Sequence, residues 1–132
     1  YKDHPLVTKV RLMIQDYKTQ DVEKIKSNYT ESTRFYDVMN SPVNEFKTLE
    51  EEFAQFDEYM KIFELVDIKE SGYPDVLDYE GNGAVVISWW DMTFRNKKSG
   101  NTNTKQHIQH AFNEKGEIVR EDYYFNPAQL PK

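Results

Sequence analysis

Residues 84–95, 104–112 and 117–125 form three runs that are together rich in Val, Ile, Thr, Trp, Tyr and Phe, separated by Ser99-Gly100-Asn101 and Glu114-Lys115-Gly116. No other stretch constrains the fold as much. Glycine supplies the positive φ of a tight hairpin turn, and β-branched and aromatic side chains suit a pleated, half-buried surface. The pattern therefore predicts three consecutive antiparallel strands, with the rest of the chain acting as their cover.

That cover reads as mostly helical. Leu6, Val10, Met13, Ile14 and Tyr17 recur at helical spacing behind Pro5, which predicts an amphipathic helix to about Lys18. Asp21 is placed to cap a short second helix carrying Val22, Ile25 and Tyr29. Residues 33–38 read as a brief strand, ended by Asn40-Ser41-Pro42. Thr48 and Glu51 match a capping box, followed by Leu49, Phe53, Phe56 and Met60 on one face of a third helix. Glu50-Glu51-Glu52 reads as a solvated helix start, favoured there by the helix dipole. Residues 62–69 and 75–79 read as strands, and Glu80-Gly81-Asn82-Gly83 as the turn that delivers the chain into the long sheet.

The 132 residues are expected to form one domain, 1–132, large enough to bury about two thirds of the unfolded surface. Nine Tyr, eight Phe and two Trp stand in a chain of mean hydropathy −0.85, so large apolar side chains are concentrated in a charged background. They would fill one core or line one cavity. A net charge of −6 and a pI near 5.1 argue against nucleic acid, whose phosphates require clustered Lys and Arg. The absence of cysteine excludes disulfides and thiol catalysis, and no apolar run reaches membrane-spanning length. The chain begins at Tyr1 rather than Met, which leaves room for a removed signal peptide and hence for a secreted or periplasmic location. The sequon Asn28-Tyr29-Thr30 is a pattern that also arises by chance.

Helix, helix, short strand, helix and then a meander of long strands indicate an α+β arrangement, the helices packed in the concave face of a strongly curved, mainly antiparallel sheet. On residues 110–119 (HAFNEKGEIV) and Tyr123-Tyr124-Phe125-Asn126-Pro127, which look like its closing hairpin, the chain resembles the nuclear transport factor 2-like superfamily, the SnoaL-like or cystatin-like α+β cone. Many members have Asp where this chain has Asn126. The resemblance implies a ligand-binding cone that often forms homodimers. It also implies cofactor-independent isomerase, dehydratase or cyclase chemistry.

Two residues are candidates for that chemistry. Asp37 falls where the steroid isomerases of this superfamily hold their base, and Phe35-Tyr36 beside it would favour a raised carboxyl pKa. It equally fits a strand-end Asp bonding its own loop. His110, on the inner face of its strand, suits an acid/base role or a core histidine with one partner. The oxyanion-holding Tyr and Asp of the isomerases correspond here to Met13 and Ile108, neither of which donates a strong hydrogen bond, so that mechanism does not carry over intact.

Strand alternation puts Ser88, Trp90, Met92, Phe94, Ile108, His110, Phe112, Val119, Glu121, Tyr123 and Phe125 on one face, and the resemblance to the steroid-isomerase hairpin implies that this face is the cone interior. Met13, Tyr17, Tyr36, Phe53, Trp90, Phe94, Ile108 and Tyr123 are the expected ligand-facing set, with core packing as their alternative role. His107 and His110 point to opposite faces of one strand, so no metal site is expected, and no cofactor. Trp89, Ile87 and Val85 on the outer face would be buried by sheet-to-sheet homodimerisation. The expected function is binding of a small hydrophobic or amphipathic molecule, with acid/base catalysis by Asp37 and His110. The alternative is a non-catalytic dimerisation or protein-interaction module of the same fold.

Overall fold

The computed structural model describes residues 4–42, 44–79, 81, 83–96 and 98–126. Glu80, Asn82 and Pro127, assigned above to turns and to the closing hairpin, lie outside them. The elements in order are α1 (Pro5–Asp16), a 3₁₀ turn (Tyr17–Thr19), α2 (Val22–Lys26), β1 (Arg34–Asp37), α3 (Leu49–Met60), β2 (Phe63–Glu70), β3 (Asp75–Tyr79), β4 (Gly83–Asn96), β5 (Gly100–Phe112) and β6 (Ile118–Tyr124).

Each helix starts where side-chain chemistry satisfies its first amides. His4 Nδ1 accepts from the Leu6 amide ahead of Pro5, and Asp21 Oδ1 accepts from Lys24. In α3 the capping box forms in both directions: Thr48 Oγ1 accepts from the Glu51 amide and Glu51 Oε1 accepts from the Thr48 amide. The end of α1 comes two residues before the predicted Lys18, because the chain tightens into the 3₁₀ turn and then leaves through Gln20 at φ +55°.

The sheet runs β1-β6-β5-β4-β2, with β3 also on β4. β4 is its spine. Residues 83–87 pair with β3, residues 90–96 with β2, and the whole strand with β5. All pairs are antiparallel except β1 with β6. Along β4 burial alternates without a break, so Ala84, Val86, Ser88, Trp90, Met92 and Phe94 face inward. Val7, Val10, Met13 and Ile14 of α1, Ile25 of α2, and Leu49 and Phe53 of α3 pack with them as one core. Phe35 of β1 sits at its centre, completely buried against Tyr29 and Phe53.

The inner face of β6 departs from simple alternation. Ala111 pairs with Arg120 but Phe112 pairs with Ile118, so the register slips by one residue and Ile118 is buried while Val119 is exposed. Val119 was expected inside. A bulge resets the parity of every residue before it and leaves Glu121 and Tyr123 as predicted. A second slip, at Val66 in β2, lies outside the three strands read first. Among the described residues no helix is long and apolar enough to cross a membrane.

Candidate functional site

α3 offers a stripe of Glu52, Gln55, Phe56, Tyr59 and Met60, spaced to share one helix face, toward the sheet. Leu65 of β2, Met92 and Phe94 of β4, Ile108 of β5, and Ile14 and Tyr17 near the end of α1 complete an apolar wall. Between them lies a cavity of about 140 Å³. That is close to the roughly 150 Å³ at which an apolar protein cavity accepts one benzene ring. Three carboxyl groups reach this apolar space, Asp37 from β1, Glu52 from α3 and Glu121 from β6.

Two hydrogen-bonded chains hold these acids. In one, Lys47 Nζ donates to the Tyr123 hydroxyl at 3.1 Å, and Tyr123 donates to Glu52 Oε2 at 3.2 Å. Lys47 also bonds Gln55 Oε1. In the other, the Tyr17 and Tyr29 hydroxyls meet at 3.1 Å and Tyr29 donates to Glu121 Oε1 at 2.6 Å. His110 Nε2 lies 2.9 Å from the same Oε1, off the line of a true hydrogen bond, and its Nδ1 has no partner among the described residues. Asp37 Oδ1 accepts from Asn40 Nδ2 at 2.8 Å, so the loop bond expected of a strand-end Asp is also present.

The electrostatics follow from this crowding. Glu52 is pushed up to about 7, first by burial and then by the charge of Glu121, against the opposing effects of the Tyr123 hydrogen bond and Lys47. Burial, followed by the Glu52 charge, raises the Tyr123 phenol, which therefore stays a donor throughout the physiological range. Tyr17 and Tyr29 are raised well above the ordinary phenol value by burial and by Glu121.

Of the residues singled out from sequence, Asp37, Tyr17, Phe94, Ile108 and Tyr123 line the cavity together. The others stand elsewhere. His110 is fully buried behind Glu121, and Met13, Phe53 and Trp90 are core residues, the Trp90 indole donating to Ser88 Oγ. Tyr36 lies between inward-facing Phe35 and Asp37, so alternation turns it outward, where it packs on Phe46 and under the Arg120 guanidinium. Glu52 was read as part of a solvated helix start, and this requires correction. Glu50 is exposed and pairs with Lys26 while Glu51 closes the capping box, but Glu52 points into the cavity. Its spacing from Phe56 and Tyr59 was the available signal.

The outer sheet face carries Trp89, 40% exposed and stacked on His107, which in turn contacts Tyr124. A shallow groove of about 350 Å³ lies beside them. His107 and His110 do fall on opposite faces. Among the described residues no group of three or more His, Cys, Asp or Glu is placed to hold a metal ion.

Among solved structures the chain is similar to PrhC from Penicillium brasilianum, at 13% identity over 94% of this chain and 82% of that one, with a TM-score of 0.71. AusH from Aspergillus nidulans matches at 15% identity over 92% and 84%, with a TM-score of 0.73. A ketosteroid isomerase-like protein from Erwinia carotovora atroseptica matches at 14% identity over 95% and 98%, with a TM-score of 0.72. At these identities the likeness concerns the fold, which is the nuclear transport factor 2-like, SnoaL-like α+β cone. No family model and no curated protein matches the sequence.

Proposed function

On this cone, we propose that the protein binds a small, mainly apolar molecule about one ring in size and shifts a proton on it without a cofactor, as an isomerase, dehydratase or cyclase does. Asp37 takes a proton from a carbon next to the ligand's carbonyl group. The electron pair moves onto the carbonyl oxygen, and the protonated form of Glu52 donates a hydrogen bond to it. Asp37 then returns the proton to a different carbon. His110 acts from behind, holding Glu121 in place. Ile108 and Met13 supply no donor, whereas the protonated carboxyl of Glu52, reaching the cavity from α3, does.

The observation that carries this reading is Glu52, a carboxyl held near neutrality in an apolar cavity that also contains Asp37. A group with that pKa exchanges protons efficiently at physiological pH, a contribution typically worth 10²–10⁴-fold. The test is deuterium exchange at the α-carbon of cyclohexanone and cyclohexenone in heavy water, followed by proton NMR. Exchange should exceed the buffer rate and fall by at least about tenfold in Asp37→Asn and in Glu52→Gln. Exchange equal to buffer, or unchanged in both variants, contradicts the proposal.

A second reading, a non-catalytic dimerisation module, is favoured by one observation. Trp89 stands exposed in an aromatic row with His107 and Tyr124 on the outer sheet face. Two such faces packed together would bury the indoles.

A further inference from the structure

Resting on the reading of Glu52 as the proton donor of this cavity, we propose that Lys47 is its positioning residue, setting the direction of two hydrogen-bonded chains so that each ends in a donor for the ligand. An ammonium group can only donate. Lys47 Nζ donates to the Tyr123 hydroxyl oxygen at 3.1 Å and to Gln55 Oε1. Tyr123 therefore turns its own hydrogen onward, to Glu52 Oε2 at 3.2 Å. With Oε2 serving as an acceptor, Oε1 is the oxygen left to carry the proton of the neutral acid. In the second chain Gln55 Oε1 is taken, so the amide offers Nε2 to the Tyr59 hydroxyl oxygen at 3.3 Å. The Tyr59 hydrogen is then free to be donated in turn.

Glu52, Gln55, Tyr59 and Tyr123 all line the cavity, whereas Lys47 stands behind them. One cation thus leaves two donors facing the same space, the arrangement that suits a ligand's carbonyl oxygen. Its place is fixed by the backbone. The Lys47 amide donates to the Phe35 carbonyl at 2.8 Å, and the Phe35 amide donates back at 3.0 Å. Phe35 is fully buried in β1, the strand that also carries Asp37. Without the ammonium, the Tyr123 oxygen loses its donor, and the protonated Glu52 satisfies it in place of a ligand. Beyond burial, Glu121 and Asp37 favour the neutral form of Glu52, while the Tyr123 hydrogen bond and Lys47 favour the carboxylate. Tyr17 and Tyr59 are the other titratable groups on the wall.

Lys47→Met removes the donor and leaves the backbone bridge, and Lys47→Arg restores an obligate donor. Deuterium exchange on cyclohexanone should fall at least about tenfold in Lys47→Met and recover in Lys47→Arg. Tyr123→Phe should also lose exchange, and the double variant with Lys47→Met should retain more than the product of the two single effects. The Glu52 carboxyl midpoint, followed by carbon-detected NMR, should rise above about 7 in Lys47→Met and stay near it in Lys47→Arg. Unchanged exchange in Lys47→Met, or losses that simply multiply, overturns the positioning role and leaves the cavity reading standing. Exchange at the buffer rate in the wild-type chain overturns the cavity reading, and the midpoint then decides for Lys47, an unmoved value in Lys47→Met overturning its role as well. Should Lys47→Met fail to fold, Tyr123→Phe takes its place, with a raised midpoint expected and an unmoved one contradicting the chain.

Discussion

Tyr123 and Glu52 join strand β6 to helix α3 through one hydrogen bond, the phenol donating to the carboxyl at 3.2 Å. The bond pulls the Glu52 pKa down, but burial and Glu121 outweigh it and the carboxyl rests at about 7. A stabilising contact and an unfavourable charge thus meet at one atom.

That balance makes stability depend on pH. Because the folded-state pKa of Glu52 lies above its unfolded value of 4.5, the folded chain holds the proton more tightly. Its stabilising share is full below about pH 4.5 and is lost as pH rises toward 7. Allowing for partial solvent contact, the loss is on the order of 1–3 kcal/mol. Chemical denaturation of the wild-type chain and of Glu52→Gln across this range should give a steeper decline for the wild type. Parallel curves would contradict it.

Gly83 opens β4 at φ +92°, and a Cβ there would lie 2.0 Å from the Phe112 carbonyl oxygen. Gly116, at φ +78°, has open space around it. Gly116→Ala should cost about 1 kcal/mol from backbone strain alone, and Gly83→Ala more than about 3 kcal/mol, because two strand backbones must separate. Urea unfolding of the two variants checks the difference, and equal costs would show that the close approach is relaxed in solution.

The strands of the long sheet were legible because β4 alternates without interruption and glycines mark the turns around it. The capping box gave the start of α3 for the same reason, a local signal acting locally. What stayed hidden depended on parity or on distant partners. A single bulge beside Phe112 sent Val119 outward, and Tyr36, expected in the cavity together with Asp37, falls on the strand position that alternation turns outward. Lys47, which precedes α3 by two positions, is placed by a backbone bridge to Phe35, a pairing that no periodicity reveals. Glu52 sat inside an acidic triplet whose three members do three different things, and only its helical spacing to Phe56 and Tyr59 separates it from the others.

The aromatic row on the outer face gives a prediction for assembly. If sheet faces pair, light scattering should report a mass twice 15.7 kDa for the wild-type chain and a monomer for Trp89→Glu, with both retaining the same far-UV circular dichroism. A monomeric wild type at high concentration removes the dimer reading.

In the proposed complex a ring-sized ligand occupies the cavity against a carboxyl poised near neutrality. A carbon-detected NMR titration of the Glu52 carboxyl, with and without cyclohexenone, tests it most directly. The midpoint is expected near 7 in the free protein and displaced when the ring fills the cavity. A midpoint near 4.5 that does not respond to the ligand would contradict it.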